Sequence, residues 1–153
     1  MSIPLQARSG AWQPALELLE PISLVRCCTS PLGRNLCMIV TETAVHVYAT
    51  SDESPNLSFE PVTSFFLGCR ATGASWSPST QHASTAWRIE ILVATETNEL
   101  RLLESVRQGS EASTSNKKLA DTYARVTDLA WCASPGYESC LLYTSDAADE
   151  RSR

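Results

Sequence analysis

The residues best suited to chemistry in this chain are two histidines, six cysteines and the serine inside Gly73-Ala74-Ser75-Trp76-Ser77. That pentapeptide is one residue short of the G-x-S-x-G nucleophile elbow, whose second glycine permits a strained strand-to-helix turn. Ser77 stands in that glycine's place and Pro78 follows, which suits the end of a strand and not the approach to a helix. Ser75 therefore reads as a strand residue, and no catalytic residue is expected. His46 and His82 are the side chains that could act as general bases near neutral pH. Neither has a carboxylate or cysteine at ligand spacing, and a metal site usually needs three or four ligands. His46 reads as a half-buried strand residue and His82 as a loop residue. No metal site and no cofactor site is expected. Gly109 and Gly136 stand alone, as turn glycines do, and form no phosphate loop.

The cysteines lie at 27, 28, 37, 69, 132 and 140, with no C-x-x-C pair. Cys27 and Cys28 are neighbours on a strand, so they point to opposite faces and make a poor metal clip. Setting Cys140 aside (below) leaves an odd number. With no secretory leader visible behind Arg8, the pattern suggests free, mostly buried thiols in a reducing compartment. No segment approaches the roughly 18 consecutive apolar residues of a spanning helix, so no membrane insertion is expected. The net charge is −5 and the bases are scattered, apart from Lys117-Lys118 in a polar stretch. Direct nucleic-acid binding, which needs a basic face, is not expected.

These residues must be positioned by short apolar runs between turn-forming ones. Strands are predicted over 22–28, 35–41, 44–49 and 62–67. The run 35–41 is apolar enough to be buried on both faces, whereas 44–49 puts Val45 and Val47 on one face and His46 and Tyr48 on the other. Further strands are predicted over 72–76, 88–95 and 99–103, with a weak one over 119–124 and another over 125–131. The polar insertions 51–60, 79–87 and 108–118 read as loops, the last as flexible, and loops are the usual carriers of binding.

The order repeats. Cys27-Cys28-Thr29-Ser30-Pro31 aligns with Ser75-Trp76-Ser77-Pro78 and with Trp131-Cys132-Ala133-Ser134-Pro135, the prolines lying 47 and 57 residues apart. Four-stranded units repeating every 40–45 residues or so, lengthened by loops, are propeller blades. A blade cannot bury both faces alone, and Trp76 and Trp131 are large enough to fill the space between neighbours. The predicted fold is all-β: an incomplete β-propeller of two blades plus the first strand of a third. Its divisions are an N-terminal arm over 1–21, a partial propeller over 22–139 and a non-native tail over 140–153.

The tail is set apart by its residues. Cys140 to Glu150 match, without a gap, the frame translation of a transposase sequencing adapter. Additions of this kind are excluded from fold reasoning. Cys140 to Asp146 also imitates a blade's second strand, an apolar run followed by a Ser-Asp turn, and a strand drawn there would not make it native.

With Gly73 to Pro78, Ile91 to Leu103 and Val126 to Trp131 in place, residues 22–135 resemble the WD40-repeat family. The departures are the lack of a Trp-Asp dipeptide at the third strands and of a Gly-His before any first strand, so the family's His/Asp/Ser/Trp network cannot be carried over. Arg70 to Thr80, reading Arg-x-x-Gly-x-x-Trp-Ser-Pro-x-Thr, and the Leu-Arg-Leu-Leu run after the next insertion resemble the WD-repeat nucleoporins of the nuclear pore's Y-shaped outer ring. That resemblance implies a non-catalytic scaffold, partnered by other proteins of a multi-subunit complex, nucleoporins among them, inside the cell at the nuclear envelope. The alternatives are a WD40 adaptor of a transcription or trafficking complex, and a propeller-fold enzyme whose site is outside this chain.

Overall fold

A computed structural model describes residues 16–51, 58–131 and 141–145. Most of the arm, the middle of the 51–60 insertion, Cys132, Ser134-Pro135-Gly136 and most of the tail lie outside the described residues. Among the described residues there are eleven strands and no helix. The first sheet holds β1 (Ile22–Cys27), β2 (Leu36–Thr41), β3 (Ala44–Ser51) and β4 (Ser58–Phe66), antiparallel and in chain order. The second holds β5 (Ala71–Trp76), β7 (Ala86–Thr95), β8 (Glu99–Gln108) and β9 (Glu111–Asp121) in that order, with short β6 (Gln81–Ala83) paired to β7. A separate pair joins β10 (Val126–Trp131) to β11 (Leu141–Ser145).

Burial follows the apolar runs. All of β2 is buried, as its composition predicts, and β3 turns Val45 and Val47 inward with His46 and Tyr48 on the other face. The main core lies between the two sheets: Leu36, Met38, Val40, Val45, Val47 and Phe65 meet Trp76, Ile89, Ile91, Val93 and Leu103. Because β7 alternates, Leu92 and Ala94 point the other way and, with Leu100, pack under Val126 and Leu129 of β10. On the far face of the first sheet, Cys37, Ile39 and Tyr48 are packed by Leu16, Leu18 and Phe59.

All three insertions depart from the loop reading where they are described: Ser51 ends β3 and residues 58–60 open β4. Residues 81–83 fold back as β6, and most of 108–118 belongs to β9, paired with β8 from Glu99↔Asp121 to Gln108↔Glu111. Gly109 takes φ +61 in the two-residue turn between them, which suits a tight hairpin. The run lacks apolar residues because β9 is an edge strand exposed along its whole length. Such a strand needs ladder bonds and β-tolerant Ser and Thr, not a core face. Lys118 accordingly sits on a strand, 2.8 Å from Asp121, and not in a solvated loop. The 119–124 strand expected after the loop is the end of this same β9, which stops at Asp121.

Candidate interaction surface

Local geometry repeats more closely than the sequence motifs do. In each first strand the register slips at the second residue: Ser23 between Ile22 and Leu24, Thr72 between Ala71 and Gly73, Thr127 between Val126 and Asp128. Such bulges increase strand twist. The bulged hydroxyls of Ser23 and Thr72 donate to equivalent carbonyls, Val40 O at 3.1 Å and Ala94 O at 3.4 Å. The following turns are equivalent too. Thr41-Glu42-Thr43 and Thr95-Glu96-Thr97 each begin on a buried threonine. Arg70 bridges these turns, with its guanidinium 4.0 Å from the Glu42 carboxylate and its N–H 3.0 Å from the Glu96 carboxylate.

The two sheets are also tied polar group to polar group. Trp76 Nε1 donates to Arg26 O at 3.1 Å, linking β5 to β1. The loop after β1 docks on the segment after β5: Ser30 Oγ donates to Thr80 O at 2.6 Å, and His82 N donates to Leu32 O at 2.9 Å. The approach there is close, since a Cβ added at Gly33 would lie 3.1 Å from Cys28 Sγ and 3.4 Å from Thr80 O. Arg26 further reaches Asp128 of β10 at 3.8 Å, and β10 itself lies against β5 and β7.

Beyond this seam lies an aromatic and cationic cluster. His82 stacks on Trp87 with ring centroids 5.7 Å apart, and the Arg107 guanidinium lies 5.3 Å from the Trp87 ring centre. Trp87 Nε1 donates to Ser105 Oγ at 3.1 Å, and Asn35 Nδ2 lies 3.1 Å from His82 Nδ1. Burial lowers the His82 pKa from its ordinary value, which favours the neutral ring at neutral pH. His82 and Trp87 together border two clefts, of about 490 Å³ on the Arg107 side and about 400 Å³ on the Glu60 side. The indole is partly buried against the main core, between His82 and Arg107, so the group presented outward is the exposed Arg107 guanidinium, which suits pairing with a carboxylate.

The other candidates fall elsewhere. Ser75 lies on β5, its hydroxyl 3.5 Å from the next carbonyl, Trp76 O. His46 pairs with Ser64 Oγ at 2.9 Å on β3 and borders a different cleft from His82. His82 is on β6 and ties the sheets together, although its polar neighbours suggested a loop. Trp76 fills the main core as its size implied, and Trp131 packs beside β10's own small core. Cys28 and Cys37 are buried, whereas Cys27 is exposed and Cys69 intermediate. Among the described residues no three His, Cys, Asp or Glu side chains converge, and no helix is long and apolar enough to cross a membrane. Two residues of the cluster escaped the sequence reading. Arg107 fell between the predicted 99–103 strand and the 108–118 insertion with no role assigned, and Trp87 stood at the end of the 79–87 insertion. The signal available was Trp87 two residues before the apolar run at Ile89.

Compared with known families, the chain matches no family model, and it matches no curated protein.

Proposed function

We propose that this chain is a non-catalytic interaction scaffold on an incomplete WD40-like propeller, with β1–β4 and β5–β9 as blades and β10 as the first strand of a third. The observation that carries this reading is the repeated plan of the two large sheets: β1 and β5 are each bulged after their first residue, and Ser23 and Thr72 at the bulges donate to equivalent carbonyls. Two sheets of one plan packed face to face, with β10 against the outer face of the second, suit successive blades of a ring. The outer-ring nucleoporin resemblance of Arg70 to Thr80 then makes the partners other subunits of that ring. The His82–Trp87–Arg107 cluster is a suitable contact point. Residues 140–153 are adapter translation under the same reading.

The first test is the intact transcript. The expected result is that repeats of about 40–45 residues follow Ser139. A native message that continues Cys-Leu-Leu-Tyr-Thr-Ser-Asp-Ala-Ala-Asp refutes the adapter assignment. The intact protein should co-elute with purified outer-ring subunits, and Trp87→Ala should weaken that complex about tenfold or more, as loss of an aromatic anchor does. Failure to co-elute leaves an adaptor of another complex as the assignment. Binding unchanged by Trp87→Ala removes the cluster from the contact.

A further inference from the structure

We propose that Cys27 and Cys37 form a cross-strand dithiol, a modification site that closes to a disulfide when a small disulfide oxidant, of the glutathione disulfide class, reaches Cys27. The two residues are direct partners in the β1–β2 ladder. Cys28 N donates to Leu36 O at 2.9 Å, which makes Cys28–Leu36 the hydrogen-bonded pair and Cys27–Cys37 the adjacent non-hydrogen-bonded pair. Partners of that second kind have Cα atoms about 4.5 Å apart and side chains on one face. A disulfide spans Cα separations of roughly 4.4–6.8 Å, so no strand need move far.

The two thiols differ in access. Cys27 is exposed, and Cys37 is only 5% exposed beneath the Leu16, Leu18 and Phe59 cover. Burial first, then the neighbouring Cys27 thiol, pushes the Cys37 pKa up to about 11. Cys37 is therefore a poor first nucleophile at neutral pH, and Cys27 is the point of entry. The Cys27 thiolate attacks one sulfur of the oxidant, the oxidant's S–S bond breaks, and the departing thiolate takes up the proton Cys27 released. Cys37 then attacks Cys27 Sγ, the mixed disulfide breaks, and the second departing thiolate takes the Cys37 proton. Two protein thiols are oxidised to one disulfide, and one small disulfide is reduced to two thiols. Among the described residues the other cysteines are poorly placed to compete: Cys28 faces the main core on the opposite side from Cys27, and Cys69 lies in the connection between β4 and β5.

The test is to treat the folded full chain with glutathione disulfide at neutral pH and map the products by peptide fragmentation. The expected product is a single Cys27–Cys37 disulfide with the loss of two free thiols. In Cys37→Ser the reaction should stop at a glutathione adduct on Cys27, and in Cys27→Ser residue 37 should stay unreacted. A glutathione adduct persisting on Cys27 of the unsubstituted chain, a link from Cys27 to any other cysteine, or an unreactive Cys27 would each overturn the proposal. The unsubstituted chain decides the matter by itself, so a variant that misfolds leaves the test intact.

Discussion

The two large sheets share one plan and differ in what covers their outer faces. In each, the first strand is bulged at its second residue, a buried threonine ends the first strand of the hairpin that follows, and one face enters the common core. The second sheet's other face is closed by β10, whose Val126 and Leu129 seal Leu92, Ala94 and Leu100. The first sheet's other face is closed by the short segment at Leu16 and Leu18, which covers Cys37 and Ile39 while Ile22 and Val25 on β1 remain about half exposed, at 51% and 53%. The difference teaches that an apolar-on-both-faces sheet needs a cover on each side, and that a neighbouring strand covers more completely than an arm does.

That comparison can be broken first at the shared core. Ile91 is fully buried between the sheets. Ile91→Ala should cost about 2–5 kcal/mol, through lost burial and the cavity left behind. Both sheets should lose amide exchange protection together. Protection lost in the second sheet alone would mean the sheets are independent units. Leu129→Ala tests the cover, and should cost about 2–3 kcal/mol. Its effect should be confined: exchange should speed in β10 and at Leu92 and Ala94 while β2 keeps its protection.

Gly33→Ala probes the polar seam. The added methyl would crowd Cys28 Sγ and the Thr80 backbone, and its cost should be about 1–3 kcal/mol. A urea midpoint equal to that of the unsubstituted chain would show that the seam yields freely. The smallest effect is one of pH. Burial alone would raise the Glu90 carboxyl, but hydrogen bonds from Ser79 and Ser77 and the Arg88 charge outweigh it and hold the pKa below its ordinary 4.5. A carboxyl lowered on folding contributes stability above its unfolded pKa, and that contribution is lost as pH falls from about 4.5 through the folded value. Ser79→Ala removes the 2.9 Å hydrogen bond to Glu90 Oε1, so it should lower the neutral-pH urea midpoint slightly and flatten the acid fall. An acid fall of unchanged slope would dismiss Glu90 as its source.

The strands that carry the core were readable because their composition is their burial. Leu36 to Val40 and Ile89 to Ala94 are runs that only an interior accommodates, and Val45/Val47 against His46/Tyr48 shows the two-residue period directly. β9 was not readable in that way. Glu111 to Asp121 buries nothing, so hydrophobic pattern carries no signal, and its partner β8 supplies the reason it is a strand. The candidate surface was half legible. His82 could be named, but its stacking on Trp87 depends on β6 folding back on β7, which nothing within Ser79 to Ala86 announces. The shared Ser/Thr at the bulges and the repeated Thr-Glu-Thr turns were present as letters. Their equivalence needed the register to give it meaning.

By itself, the order of apolar and turn-forming residues determines an all-β chain, the position of most strands, which side chains of β3 share a face, and the unsuitability of Ser75's surroundings for an elbow. These follow from local periodicity and from proline's missing N–H. Only the tertiary structure decides that Trp87 lies between His82 and Arg107 in contact, that Arg70 spans two turns, and that Cys27 stands opposite Cys37 and not paired with its neighbour Cys28. Each of these depends on the register between strands, and register is set by how distant segments pack.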